Sequence, residues 1–148
     1  MIEILKQNGL CKTAGIIQQG NLRLHPSVVA AAIEGSRGPK NCFRDNSDLD
    51  VSLVLSPNAA PTAQRCAAVL AHSQTHWHSE TELDLAVLFD KNACGLACLA
   101  ANTTAGLPCD KGVDCIGIYK RSKGFSGFVQ GIGLNLEDVF PILYIPIK

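Results

Sequence analysis

Apolar residues recur at every second position in two stretches of the chain. Over residues 48 to 55, Leu49, Val51, Leu53 and Leu55 fall on one face, and Asp48, Asp50 and Ser52 on the other. Over residues 82 to 89, Leu83, Leu85, Val87 and Phe89 alternate in the same way with Glu82 and Asp84. A period of two is the period of a half-buried strand, so each stretch predicts one. Val28 to Ile33 is a short continuous apolar run closed by Gly35-Ser36-Arg37-Gly38-Pro39, which predicts a buried strand ending in a tight loop. Between the two alternating stretches, Ser56-Pro57-Asn58 breaks the pattern. Ala63, Cys66, Ala67 and Leu70 then follow at helical spacing, predicting a crossover helix over residues 60 to 71 that packs on the sheet.

The flanks are less regular. Ile2, Leu5, Leu10, Ala14 and Ile17 keep a helical spacing that Gly9 and Gly15 interrupt, so one broken helix or two short ones are expected. After Phe89 the pattern predicts a short helix over about 93 to 101, a strand over 113 to 119 and a Gly-rich stretch from Gly124 to Gly133. A last apolar segment, Val139 to Ile147, contains two prolines that suit an edge strand. Strands and helices interleave through the middle of the chain. The class is α/β (α+β): a small mixed β-sheet with helices packed on one face. The length, 148 residues, fits a single domain over residues 1–148.

Composition narrows the function classes. Hydrophobic residues at 47% and charged residues at 18% suit a buried core and argue against disorder or a coiled coil. Thirteen basic residues balance thirteen acidic ones, so no extended nucleic-acid surface is expected. Seven cysteines, mostly inside apolar runs such as that at Cys66, read as thiols in a reducing compartment. No secretory signal is visible at the start, and no apolar run reaches the ~18 residues of a membrane span. A cytoplasmic protein without membrane contact is the expectation.

The chemistry lies on the polar face of the two alternating strands. Asp48 and Asp50, two positions apart, point the same way, and Asp84 has the same relation to its apolar neighbours. If the two strands are adjacent, three carboxylates converge. Such a group repels itself unless a divalent cation neutralises it, and hard oxygen ligands suit Mg²⁺ or Mn²⁺. Gly35 lets the backbone approach a ligand closely, Ser36 and the following amides can hold phosphate oxygens, and Arg37, Lys40 and Arg44 add positive charge. A phosphate cradle facing a carboxylate-bound metal is what nucleotidyl transfer needs, with Asp84 available to take the acceptor's proton.

Gly35-Ser36-Arg37-Gly38, the run Arg44-Asp45-Asn46-Ser47 leading to Asp48-Leu49-Asp50-Val51, and Leu83-Asp84-Leu85 resemble the signature of the DNA polymerase β-type nucleotidyltransferase superfamily. The wording is most similar to its minimal nucleotidyltransferases, short single-domain prokaryotic members that include antitoxin partners of helical toxins. The resemblance covers about residues 28 to 90. It implies the nucleotidyltransferase fold, triphosphate contact by Gly35 and Ser36 with Arg37 beside them, metal binding by Asp48 and Asp50, and a third metal-binding and catalytic carboxylate at Asp84. It further implies transfer of a nucleoside monophosphate, AMP from ATP in the first instance or another nucleoside triphosphate, to a hydroxyl or phosphate on a protein or small molecule. The alternative is an antitoxin-like or nucleotide-sensing protein that mainly binds a partner chain. Pro39, the Cys- and Gly-rich C-terminal part and the lack of an acceptor-binding domain depart from the pattern and leave the acceptor open. A second copy or a helical partner is expected to complete the pocket, against Gly124 to Gly133 and Val139 to Ile147.

Other polar groups have plainer readings. His72, His76 and His78 surround Trp77 but lack a cysteine pair at ligand spacing, and their segment joins a helix to a strand, so zinc is not favoured. Cys94 and Cys98 read as core residues of a helix. Lys120, Arg121 and Lys123 read as a solvated strand end, with phosphate contact the alternative. Glu82 is an auxiliary carboxylate or simply exposed.

Overall fold

The computed structural model describes residues 1–91, 95–101, 115–122, 124–129 and 141–148. Two short helices, α1 (Ile2–Gln7) and α2 (Cys11–Gly20), precede β1 (Val28–Ile33) and β2 (Leu49–Leu55). Helix α3 (Ala63–His76) leads to β3 (Leu83–Asp90), and α4 (Gly95–Ala101) follows. Strands β4 (Ile116–Ser122), β5 (Phe125–Val129) and β6 (Leu143–Pro146) complete a six-stranded open sheet of order β5-β4-β3-β2-β1-β6. β2 and β3 are parallel, as a helical crossover requires, and the other neighbours are antiparallel. The sheet is therefore mixed.

One face of the sheet carries Leu49, Val51, Leu53, Leu55, Leu83, Leu85 and Val87, which pack with Leu5, Ala14 and Ile17 of α1 and α2 and with Cys66, Val69 and Leu70 of α3. The other face carries a second cluster, in which Ala30, Ala32, Val54, Leu88, Ile116 and Ile118 meet Leu96 and Leu99 of α4. Helices thus lie on both faces, which corrects the one-face expectation. The alternation itself gives the reason. The second face is polar only where the parallel strands begin, at Asp48, Asp50 and Asp84. Further along it turns apolar at Val54 and Leu88, and that half must be covered.

α3 begins at Thr62, whose side chain accepts from the Arg65 amide at 3.2 Å, and continues beyond residue 71 through His72 and His76. Its polar last turn is anchored by Ser73, which donates to the Arg23 carbonyl at 2.7 Å. The Trp77 ring then lies so close over Gly20 that a Cβ there would sit 2.4 Å from it. β5 falls within the Gly-rich stretch, where Gly124 (φ 85°) makes the turn after β4 and Phe128 packs edge-on against Tyr119, with ring centroids 5.2 Å apart. β6 pairs with β1 alone, the edge position its prolines suggested. Val113, Lys123, residues 130–133, Val139, Cys94 and Cys109 lie outside the described residues. None of the five described cysteines forms a disulfide; Cys66 and Cys115 are buried, while Cys11 and Cys42 are exposed. No described helix is long and apolar enough to cross a membrane.

Candidate functional site

Parallel pairing of β2 and β3 sets Asp50 directly beside Asp84, with Asp48 one residue before β2. One carboxylate oxygen from each of Asp48, Asp50 and Asp84 lies within 4.8 Å of the other two. Among the described residues this is the only group of three His, Cys, Asp or Glu side chains that converges in this way. Partial burial, then the charges of Asp48 and Asp84, push the Asp50 carboxyl up to about 6, against the opposing pull of Lys120. The Lys120 ammonium donates to Asp84 Oδ2 at 2.6 Å. The strand-end lysine is thus a counter-ion inside the acidic cluster, an arrangement the antiparallel register Ala86–Lys120 creates.

A fourth carboxylate, Glu34, was not singled out from the sequence. It follows β1 directly and its amide donates to the Asp50 carbonyl at 3.2 Å. Burial is the main cause that raises its pKa to about 7. A hydrogen bond with Ser52 and the charge of Lys120 oppose the shift, and Asp50 and Asp84 reinforce it. The available signal was parity: Glu34 shares the strand face of Ala30 and Ala32, the carboxylate-bearing one.

Gly35 adopts φ 64°, and a Cβ at that position would lie 2.1 Å from Asp50 Oδ2. Both conformation and space demand glycine here, and the close approach sets the Gly35–Ser36 backbone directly against the acidic cluster. The turn closes through the Gly38 amide to the Gly35 carbonyl at 3.2 Å and the Cys42 amide to the Ser36 carbonyl at 3.0 Å.

Arg37, expected beside the nucleotide, is turned inward and only 3% exposed. Its Nε donates to the Ser47 carbonyl at 2.8 Å, and one terminal nitrogen donates to the carbonyls of Arg44 at 3.3 Å and Asp45 at 3.2 Å. Its guanidinium also stacks on Phe43, 4.7 Å from the ring centroid. Thr13 of α2 donates to the Arg37 carbonyl at 2.7 Å. Arg37 therefore ties down the segment that delivers Asp48, which makes it a positioning residue rather than a phosphate contact. Lys40 and Arg44 are exposed on the same loop, and Glu82 is exposed at the start of β3.

The histidines are arranged differently from the expectation, because α3 runs on through them. His76 Nδ1 lies 2.7 Å from the His72 carbonyl, and the His72 ring packs between those of His76 and His25, at centroid distances of 4.8 and 5.5 Å. Desolvation, then the neighbouring His76, His25 and Arg23, lower the His72 pKa. Among the described residues, no group of three potential ligand atoms that includes this pair comes together as a metal site.

Three hard oxygen donors of like charge, one of them held well above its ordinary pKa, fit a divalent cation of the Mg²⁺ or Mn²⁺ type. Compared with known proteins, the chain matches no family model, no curated protein and no solved structure.

Proposed function

We propose that the protein is a metal-dependent nucleotidyltransferase of the polymerase β type, moving a nucleoside monophosphate from a nucleoside triphosphate such as ATP to a hydroxyl or phosphate acceptor. The observation that carries this reading is the convergence of Asp48, Asp50 and Asp84 with the Gly35 backbone packed against Asp50. Asp48, Asp50 and Asp84 would hold the divalent ion, which when bound supplies charge neutralisation and orientation for the triphosphate. Gly35 and Ser36 bind the distal phosphates through the turn that ends β1. Lys120 is the cation next to the cluster and balances charge there. Asp84, the member nearest β4, accepts the acceptor's proton.

Thermal unfolding tests the reading. Ligand that binds only the folded state adds about 2.7 kcal/mol at a hundredfold excess over Kd. At this chain length that is roughly 5–10 °C in Tm. MgATP is expected to give such a rise, and ATP with EDTA a much smaller one. Equal Tm values in the two conditions would overturn the site.

One observation favours a partner-binding role beside the enzymatic one. Phe125 and Phe128 are 45% and 44% exposed on β5, the outer strand of the sheet. Association with a second copy would cover them. Light scattering at micromolar concentration is then expected to give a dimer mass that falls to monomer in the double variant Phe125→Ser with Phe128→Ser. A monomer in both samples would remove self-association.

A further inference from the structure

Along β4, Ile116 and Ile118 belong to the apolar cluster that meets α4, and the next residue on that face is Lys120. Its pairing with Ala86 carries the Lys120 side chain toward the end of β3 where the same face turns polar. Lys120 Nζ donates to Asp84 Oδ2 at 2.6 Å, and its charge acts on Asp50 and Glu34 as well. Arg37, by contrast, directs its guanidinium to the carbonyls of Arg44, Asp45 and Ser47. The acidic cluster therefore has an internal cation, and that cation sits on one of the three proposed metal ligands.

A divalent ion and an ammonium cannot both be well held by one carboxylate. An ion on Asp84 would lie within a few ångströms of Lys120 Nζ, at a place only partly open to water, where the Lys120 and Asp84 side chains are 31% and 27% exposed. Like charges that close repel strongly when solvent screens them incompletely. The charge count points the same way. Asp48, Asp50 and Asp84 bear three negative charges when ionised and Lys120 cancels one, so the cluster meets an incoming ion with two instead of three. Lysine also suits a partner that can be exchanged: its ammonium is a compact, strongly hydrated charge on a flexible stem, whereas the arginine fork fits both oxygens of a carboxylate. We propose that Lys120 is an internal competitor of the divalent ion, holding Asp84 and giving way when the ion takes it. Lys120 thereby keeps the metal affinity of the cluster alone low, and the further ligands of a bound triphosphate are needed to retain the ion. This assignment rests on the nucleotidyltransferase reading, from which the metal comes.

Calorimetry on the full chain at about pH 8, with Mn²⁺ as the probe and no nucleotide, tests the competition. Lys120→Met removes both the charge and the hydrogen bond, and Lys120→Gln keeps a donor for Asp84 without the charge. Each is expected to bind Mn²⁺ about tenfold more tightly than wild type, a figure discounted for the partial exposure of the pair. Lys120→Arg, which keeps the charge, is expected to bind it no more tightly. The sign separates competition from damage, since a disturbed cluster would bind metal more weakly. In the wild type, saturating Mg²⁺ is expected to move the Lys120 Nζ resonance, a readout that needs no variant to fold. Mn²⁺ affinity unchanged or lowered in both neutral variants, or an Nζ resonance that stays in place with Mg²⁺ bound, would overturn the competition and leave the metal site standing. No Mn²⁺ binding by the wild type or by either neutral variant would overturn the metal site and the competition together.

Discussion

On the proposed reading, Asp48→Asn and Asp50→Asn are each expected to lower nucleotidyl transfer by about a thousandfold while the chain stays folded. A bound divalent ion is worth several kcal/mol of charge stabilisation in phosphoryl chemistry, and about 4 kcal/mol corresponds to three orders of magnitude in rate. Both changes keep side-chain shape and remove one of three crowded like charges, so stability holds or rises. Transfer from α-labelled ATP, followed with circular dichroism on the same samples, separates lost chemistry from lost fold. Labelling that survives in the double variant would show that these carboxylates are not the metal's ligands.

In EDTA, the protein is expected to lose stability as pH rises from about 4 to above 7. Glu34 titrates at about 7 when folded against 4.5 ordinarily, and Asp50 at about 6 against 3.8. Each holds its proton more tightly in the folded state, so its contribution is fully present below the unfolded pKa and is lost as pH climbs through the folded one. Glu34→Gln removes that dependence at one position. In EDTA the variant is expected to exceed wild type by about 2 kcal/mol at pH 8 and to match it at pH 4. Urea unfolding at the two pH values measures the difference. A variant less stable than wild type at pH 8 would show that the Glu34 charge is not a burden on the fold. Saturating Mn²⁺ is expected to flatten the wild-type profile, because it favours the ionised carboxylates.

The parts of the molecule legible in the sequence are those whose pattern is local. Leu49 to Leu53 and Leu83 to Val87 alternate because one face of each strand is buried there, and that alternation aims Asp48, Asp50 and Asp84 at one side. Their convergence needed one further fact, that β2 and β3 are neighbours, and the helix between them supplies it by making the pair a parallel crossover. Glu34 was missed because it has no acidic partner two positions away; its neighbours in the cluster come from other strands. Arg37 looked like a phosphate contact because charge next to Gly-Ser suggests one, whereas its direction depends on carbonyls of residues 44, 45 and 47 folding back over it. The polar residues from His72 to His76 masked the last turn of α3, whose anchors at Arg23 and Gly20 are remote in sequence. The point at which the pairing of β4 with β3 ends, at Ala86 and Lys120, leaves no trace in residue order, since nothing local marks where a strand loses a neighbour.

β1 carries the Gly35 turn at its end and is clasped between β2 and β6, with Ala30 opposite Pro146 and Ile33 opposite Leu143. During translation the segment from Val28 to Asp90, with all four carboxylates, leaves the ribosome well before the strand that flanks β1 on its outer side. Closing so long a loop is slow compared with forming the β2–α3–β3 unit. The nascent chain therefore passes through an interval in which the acidic residues are already aligned on two strands while the turn beside them hangs from a strand with a bare edge. In that interval the proposed divalent ion would have ligands to bind before the Gly35 turn is clasped on both sides, and its binding would draw the early unit toward its native register.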